Sequence, residues 1–109
     1  MATRQALDQR LRELLLAHNV DPTNGHLYYQ SPGLHGIIYP ALIYSRELIN
    51  MLEADNRNYA GFNIYQLTWV SRVPMDPMVD YLLDELENIR YIHEYTADGL
   101  YHTRFRLYY

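Results

Sequence analysis

Apolar residues recur at helical spacing near the start of the chain. Thr3 precedes this run and has a side-chain oxygen suited to an N-terminal helix cap. The leucines follow a spacing that places side chains on one face of an α-helix: Leu7, Leu11, Leu14 and Leu15. The helix is expected to end at three residues typical of helix termini: Asn19, Asp21 and Pro22.

Three segments rich in β-forming residues come next. HLYYQ (residues 26–30) predicts a short strand, and IIYPALIYS (37–45) predicts a second strand. Proline cannot donate a ladder hydrogen bond, so Pro40 is expected at a strand start or on a sheet edge. The run from Tyr59 to Val73 alternates and predicts the longest strand. Its two faces are expected to carry Tyr65, Leu67 and Trp69 on one side and Ile64, Gln66, Thr68 and Val70 on the other.

A polar connection and a second helix separate this strand from its neighbours along the chain. Residues 46–58, RELINMLEADNRN, end in a polar cluster, and we expect a long connection with at most one helical turn. Asp76 followed by Pro77 predicts a helix start, because aspartate caps well and proline fits the first helical position. The buried face of this helix is expected to be Val79, Leu82, Leu83 and Leu86.

The chain ends on YTADGLYHTRFRLYY, in which Asp98-Gly99 is a favoured pair for a two-residue hairpin turn. Counting outward from the turn predicts four pairs: Thr96 with Tyr101, Tyr95 with His102, His93 with Arg104, and Ile92 with Phe105. One face of the hairpin would then be core: Ile92, Phe105 and Leu107. The other would be polar, aromatic and cationic: Tyr91, His93, Tyr95, His102, Arg104 and Arg106.

The order of elements is therefore α-β-β-β-α-β-β within a single domain, residues 1–109. Strands interrupted by helices, without regular β-α alternation, favour an α+β fold. We expect a mainly antiparallel sheet with both helices packed on one face.

Composition narrows the function classes. The net charge of −4 gives no basis for nucleic-acid binding over the whole surface. All nine basic residues are arginine, which is common at protein interfaces and in aromatic stacking, and base composition of the genome is an equally good explanation. With no cysteine, disulfides and thiolate metal sites are excluded. No membrane span or targeting segment is expected.

Candidate catalytic and metal-binding patterns are weak. The five histidines show no HxxxH or HxH spacing, and neither a GxSxG elbow nor a glycine-rich phosphate loop occurs. His93 and His102 lie close enough on the predicted hairpin for a two-ligand site to be conceivable, but two solvent-facing or interface histidines are the favoured interpretation. We expect no catalytic activity, no cofactor and no metal.

Charged residues form two groups. The acidic group belongs to the second helix and its ends: Asp76, Asp80, Asp84, Glu85 and Glu87. It is either a solvated helix face or an electrostatic surface, which meets arginines of a neighbouring copy or faces a channel for an anionic polymer. The basic group belongs to the hairpin: Tyr91, His93, Arg104 and Arg106. It could bind nucleic acid through phosphate contacts and base stacking, although a sheet face covered by a helix or a neighbouring subunit is favoured.

Four stretches together resemble a family of small proteins of long-tailed bacteriophages: YYQSP, YPALIYSRELINMLEADNRNY, YQLTWVSRVPMDPMVDYLLDEL and YTADGLYHTRFRLYY. The resemblance covers roughly residues 27–109, and the last motif is the most specific. Members belong to the head-to-tail joining proteins, and the family is identified as that of tail terminators, or tail-completion proteins. Gly99 stands where asparagine is usual, and SPGLHGII replaces a more charged stretch.

The resemblance implies a structural protein of the virion neck, assembled in the host cytoplasm, and no bond chemistry. A hexameric ring would cap the head-proximal end of the tail tube, stop tube growth and join tail to head. Its partners would be other copies of itself, the tail tube protein, and a head-closure or adaptor protein. Genomic DNA would pass through the lumen without specific binding, and no membrane is involved.

Two site hypotheses follow. The acidic and basic groups would meet across subunits, or the acidic helix would face the lumen. The long connection would contact the tail tube through its polar residues: Arg46, Glu47, Glu53, Asp55, Asn56, Arg57 and Asn58. The alternatives are a head-closure (stopper) or tail-tube ring protein of the same particle and, in another class, a small nucleic-acid-binding module using the basic hairpin.

Overall fold

The computed structural model describes residues 3–30, 36–47 and 63–109. In these ranges the chain forms two α-helices and a five-stranded sheet, which confirms the α+β class and the predicted order of elements. The helices are α1 (Arg4–Ala17) and α2 (Met78–Glu85), and a short 3₁₀ helix spans Pro22–Asn24. The strands are β1 (Leu27–Tyr29), β2 (Ala41–Arg46), β3 (Ile64–Ser71), β4 (Ile89–Ala97) and β5 (Leu100–Tyr108).

The sheet has the order β1-β2-β3-β5-β4, so β1 and β4 are its edges. β1 pairs with β2 in parallel, and the other three pairs are antiparallel, as expected of a mainly antiparallel sheet. Pro40 lies directly before β2, which confirms its predicted place at a strand start. β3 spans eight residues and is shorter than β4 and β5, so the prediction of the longest strand was wrong; residues 59–62 lie outside the described ranges.

Helix α1 has the predicted cap and core face. The Thr3 hydroxyl accepts a hydrogen bond from the Ala6 amide at 3.1 Å, and all four predicted leucines are buried. Past its last turn, Asn19 adopts a left-handed conformation with φ of 68°. The Val20 and Asn19 amides donate to the Leu15 and Leu16 carbonyls at 2.9 and 3.2 Å. This is the bond pattern of a Schellman motif with asparagine at its left-handed position.

Helix α2 begins at Met78, one residue after the predicted first helical position, Pro77, and its buried face also differs from the prediction. One Asp76 carboxylate oxygen accepts from the Met78 amide at 3.0 Å, and so caps the helix. Met78 and Leu82 are buried in the helix, and Leu86 is buried just after it. Leu83 is 36% exposed, contrary to prediction, because α2 packs by its Met78–Leu82 side and Leu83 lies one residue (about 100°) further round.

One hydrophobic core lies between the helices and one face of the sheet, here called the helix face. Leucines of α1 and Met78, Leu82 and Leu86 meet strand residues there: Leu27, Leu42, Tyr44, Tyr65, Leu67, Trp69, Phe105 and Leu107. The strand pairings place all of these strand side chains on one side of the sheet, as predicted for β3. The opposite side is called the outer face.

Candidate interaction surface

Strand β4 of the β4–β5 hairpin has a long exposed stretch. Seven consecutive residues of the edge strand β4 are exposed, from Arg90 to Thr96, on both faces of the sheet. Four large side chains in the hairpin are between 38 and 48% exposed: Tyr91, Ile92, Tyr95 and Tyr101. Because tyrosine combines a flat apolar ring with a polar tip, it is enriched at protein interfaces.

A β-bulge divides the hairpin faces differently from the prediction. The turn and the pairs Thr96–Tyr101, Tyr95–His102 and His93–Arg104 are as predicted, but Phe105 pairs with Tyr91 rather than with Ile92. Ile92 is the extra residue of the bulge and is 47% exposed, so it is not core.

The bulge exchanges two further residues between the faces. Tyr91 moves to the helix face, where its ring meets the edge of Phe105 with centroids 6.3 Å apart, so its predicted place on the cationic face was wrong. Arg90 takes its place on the outer face, directly opposite Arg106. A regular ladder would instead have put Arg90 opposite the buried Leu107, and that conflict was the sequence signal for a bulge.

The outer face of the hairpin brings cationic and aromatic side chains together, and we call it the arginine face: Arg90, His93, Tyr95, His102, Arg104 and Arg106. The Tyr95 ring stacks between two imidazoles, with centroids 5.5 Å from His93 and 4.7 Å from His102. The structure therefore brings together His93, Arg104 and Arg106 as the sequence predicts and adds Arg90.

Arg106 is paired within the chain. Its guanidinium donates to both carboxylate oxygens of Glu47, at 3.0 and 2.7 Å. These hydrogen bonds, which act against a smaller effect of burial, raise the pKa of Arg106 above its ordinary value. Glu47 thus supports the hairpin, while Arg46 is exposed at the end of β2. The other predicted tube-contact residues lie outside the described residues: Glu53, Asp55, Asn56, Arg57 and Asn58.

The acidic group is not one surface. Asp76 is committed to its cap and accepts from the Ser71 hydroxyl at 2.7 Å. Glu85 turns toward α1, where its carboxylate contacts the His18 imidazole and its carbonyl accepts from Arg10 at 2.9 Å. Glu87 lies beyond the helix end, so it does not belong to a helix face. Three carboxylates of the group are exposed: Asp80, Asp84 and Glu87.

A cavity of about 440 Å³ lies between the start of α2 and the hairpin tip, and we call it the acidic cleft. The turn after β3 and the first turn of α2 form one wall, which includes Met75, Asp76 and Asp80. Hairpin residues form the other wall, among them Glu94 and Tyr101, and Trp69 also lines the cleft. Three carboxylates line this cavity, and neither arginine nor lysine does.

Two residues of this cleft were missed by sequence reasoning. Glu94 pairs with Thr103 and lies on the helix face, a placement that follows by counting from the Asp98–Gly99 turn. Trp69 is 1% exposed, and its indole nitrogen is the buried side-chain polar atom that has no hydrogen-bond partner within the described ranges. The face of the sheet on which Trp69 lies was predictable from the alternation of β3. The lack of an acceptor for its indole nitrogen was not, because it depends on which elements pack around Trp69.

No protein-family model, no curated protein and no solved structure matches the chain. Within residues 3–30, 36–47 and 63–109, no group of three or more potential ligands could hold a metal ion. No helix in that part of the chain is both long and apolar enough to cross a membrane.

Proposed function

We propose that this protein is a structural component of the bacteriophage neck, forming a ring that caps the head-proximal end of the tail tube. The ring stops tube growth and joins tail to head. Its partners are other copies of the chain, the tail tube protein and a head-closure or adaptor protein, and DNA passes through its lumen without specific binding. No catalytic activity or cofactor belongs to this proposal.

The observation that carries the proposal is the β4–β5 hairpin, whose edge strand β4 is exposed on both faces of the sheet. It is formed by the motif with the most specific family resemblance, YTADGLYHTRFRLYY. A subunit of a ring has a neighbour on each side and needs two different contact surfaces. An open sheet edge flanked by aromatic side chains is a surface that proteins usually cover.

Electron microscopy of purified tail tubes incubated with gold-labelled protein tests the proposal. We expect label at one end of each tube, and tubes whose growth has stopped at that end. Label along the whole tube would instead support a tube subunit, and label on capsid portals alone would support a stopper or adaptor. Absence of label from all three would contradict a role in the neck.

A nucleic-acid-binding module is the second candidate, and the arginine face supports it. Arg90 and Arg104 have no ion-pair partner among the described residues, and Tyr95, which stacks on His93 and His102, lies on the same face. Aromatic and arginine side chains together suit single-stranded nucleic acid. Retention on a DNA column with an affinity that falls steeply with salt would favour this candidate, and negligible retention would remove it.

A further inference from the structure

The two faces of the hairpin carry opposite charge. On the outer face, Arg90 and Arg104 lie on the adjacent strands β4 and β5 and have no ion-pair partner among the described residues. On the helix face, Glu94 and Asp80 line the acidic cleft and are exposed. Tyr95 and His102 of the arginine face also line the cleft, but Arg90 and Arg104 do not. A single chain therefore presents both halves of a charge-complementary contact.

We propose that the acidic cleft of one copy binds the arginine face of the next copy. Asp80 and Glu94 then pair with arginines of the neighbour, principally Arg104 and Arg90. This contact is heterologous, since each copy uses a different surface toward each neighbour, and it therefore repeats from copy to copy. This inference assigns the contact between the subunits of the proposed ring. It rests on the proposed neck function only for the closure of successive contacts into a ring.

The rim of the cleft has the apolar groups that a protein contact needs. Met75 is 97% exposed and has a φ of 53°, a left-handed conformation that L residues rarely adopt. Tyr101 and Val73 are 38 and 52% exposed on the same rim. Methionine and aromatic residues are enriched at interfaces. These groups are expected to exclude water from the charge pairs, which strengthens them.

The Trp69 side chain lines the cleft, and its buried indole nitrogen has no acceptor among the described residues. An N–H group that is buried without an acceptor is costly, and most such groups in folded proteins have a partner. A segment docked in the cleft would bring carbonyl or carboxylate oxygens to the cleft wall. Because Trp69 is the single tryptophan, its fluorescence also reports on occupancy of the cleft.

The charge pattern favours a second copy over an unrelated partner. An acidic cleft needs a cationic surface, and the same chain carries one whose arginines have no acidic partner within the described residues, apart from Arg106 with Glu47. Electrostatic complementarity of this kind fixes register and orientation between partners. Self-association through these two surfaces is the simplest way to neutralise both.

Paired charge reversal tests the contact. The first variant reverses the cleft (Asp80→Arg with Glu94→Arg), and the second reverses the arginine face (Arg90→Glu with Arg104→Glu). Self-association of the wild type is measured at millimolar concentration by nuclear magnetic resonance and sedimentation, with Trp69 fluorescence as a second signal. We expect it to weaken with added salt. Each variant alone should associate at least about tenfold more weakly.

An equimolar mixture of the two variants should associate like the wild type. In the mixture, the reversed cleft of the first variant can bind the reversed arginine face of the second variant. The unchanged arginine face of the first variant can bind the unchanged cleft of the second. Copies of the two variants would therefore alternate along the assembly. The matched control is Asp84→Arg with Glu87→Arg, which makes the same change in net charge at exposed acids that do not line the cleft. The control should leave association unchanged. Circular dichroism of every variant establishes that it is folded before its association is compared.

Several results would overturn the proposal. They are a wild-type chain that stays monomeric at millimolar concentration, spectral changes that map away from the two surfaces, an equal loss in the control, or a mixture that does not recover. The tail-tube experiment separates this inference from the proposed function. A cleft variant that caps tubes like the wild type contradicts the contact and leaves the neck function standing. A wild-type protein that associates through the cleft but does not label tubes would contradict the neck function and leave the contact standing.

Discussion

At the scale of single residues, the Tyr44 hydroxyl joins the sheet to helix α1. The ring is fully buried, and its hydroxyl donates to an Asp8 carboxylate oxygen at 2.6 Å. Burial, together with this hydrogen bond, raises the pKa of Tyr44 far above its ordinary value, so it stays protonated and remains a donor. Burial alone would raise the pKa of Asp8, but hydrogen bonds from Tyr44 and Arg12 outweigh it and the pKa lies below its ordinary value.

Tyr44→Phe removes this hydrogen bond and leaves the ring in place. We expect the free energy of unfolding to fall by about 1.5–3 kcal/mol at neutral pH, the typical range for a hydrogen bond to a charged group. Chemical denaturation followed by circular dichroism measures it. Tyr91→Phe is the matched control, because that exposed hydroxyl has no hydrogen-bond partner in the described part of the chain, and it should change stability little.

The same pair of residues makes a prediction for pH. Because the pKa of Asp8 is lowered by folding, its stabilising contribution is present above its unfolded pKa of about 4 and is lost as pH falls through the folded value. The difference between wild type and Tyr44→Phe should therefore shrink in acid. A difference that stays constant between neutral and strongly acidic pH would contradict the assigned bond.

At the scale of elements, the β-bulge at Ile92 decides which side chains reach which face of the hairpin. On the turn side of the bulge the pairing is regular, and beyond it Tyr91 and Arg90 change faces. The turn itself uses Asp98 and Gly99 with φ of 54° and 73°, the conformation that favours these residues. The bulge therefore sets the composition of the arginine face without moving the core.

Deletion of Ile92 should be tolerated. The pairs Tyr91–Phe105 and His93–Arg104 would become consecutive in a regular ladder, with every other pair kept. We expect the free energy of unfolding to fall by much less than the roughly 2–5 kcal/mol that truncation of a core leucine costs. Deletion of Arg104 from β5 is the control, because it moves the buried Phe105 and Leu107 out of register with β3. Thermal unfolding compares the two, and equal losses would mean that the bulge is a structural requirement.

Local features were the ones that sequence could predict. The Thr3 and Asp76 caps, the leucine face of α1 and the alternation of β3 each depend on residues a few positions apart. The pairs that shape the charged surfaces join distant residues: Arg106 and Glu47 are 59 positions apart, and His18 and Glu85 are 67 apart. No local pattern encodes such pairs, so the acidic group was predicted as one surface and is divided in the fold.

At the scale of the whole molecule, the described residues form one core and one part that the core does not cover. The helices cover β3 and the inner side of β5, while β4 is exposed from Arg90 to Thr96. The exposed hairpin carries arginines on its outer face and borders an acidic cleft on its helix face. This asymmetry is what a subunit needs to contact one neighbour on each side.

Cryo-electron microscopy of tail tubes bound by the protein tests this account most directly. We predict a single ring at one end of the tube, in which the β4–β5 hairpin of each copy lies between its two neighbours. The acidic cleft of one subunit should face Arg90 and Arg104 of the next. Protein bound along the tube wall, or a terminal ring whose hairpins project into solvent, would contradict the account.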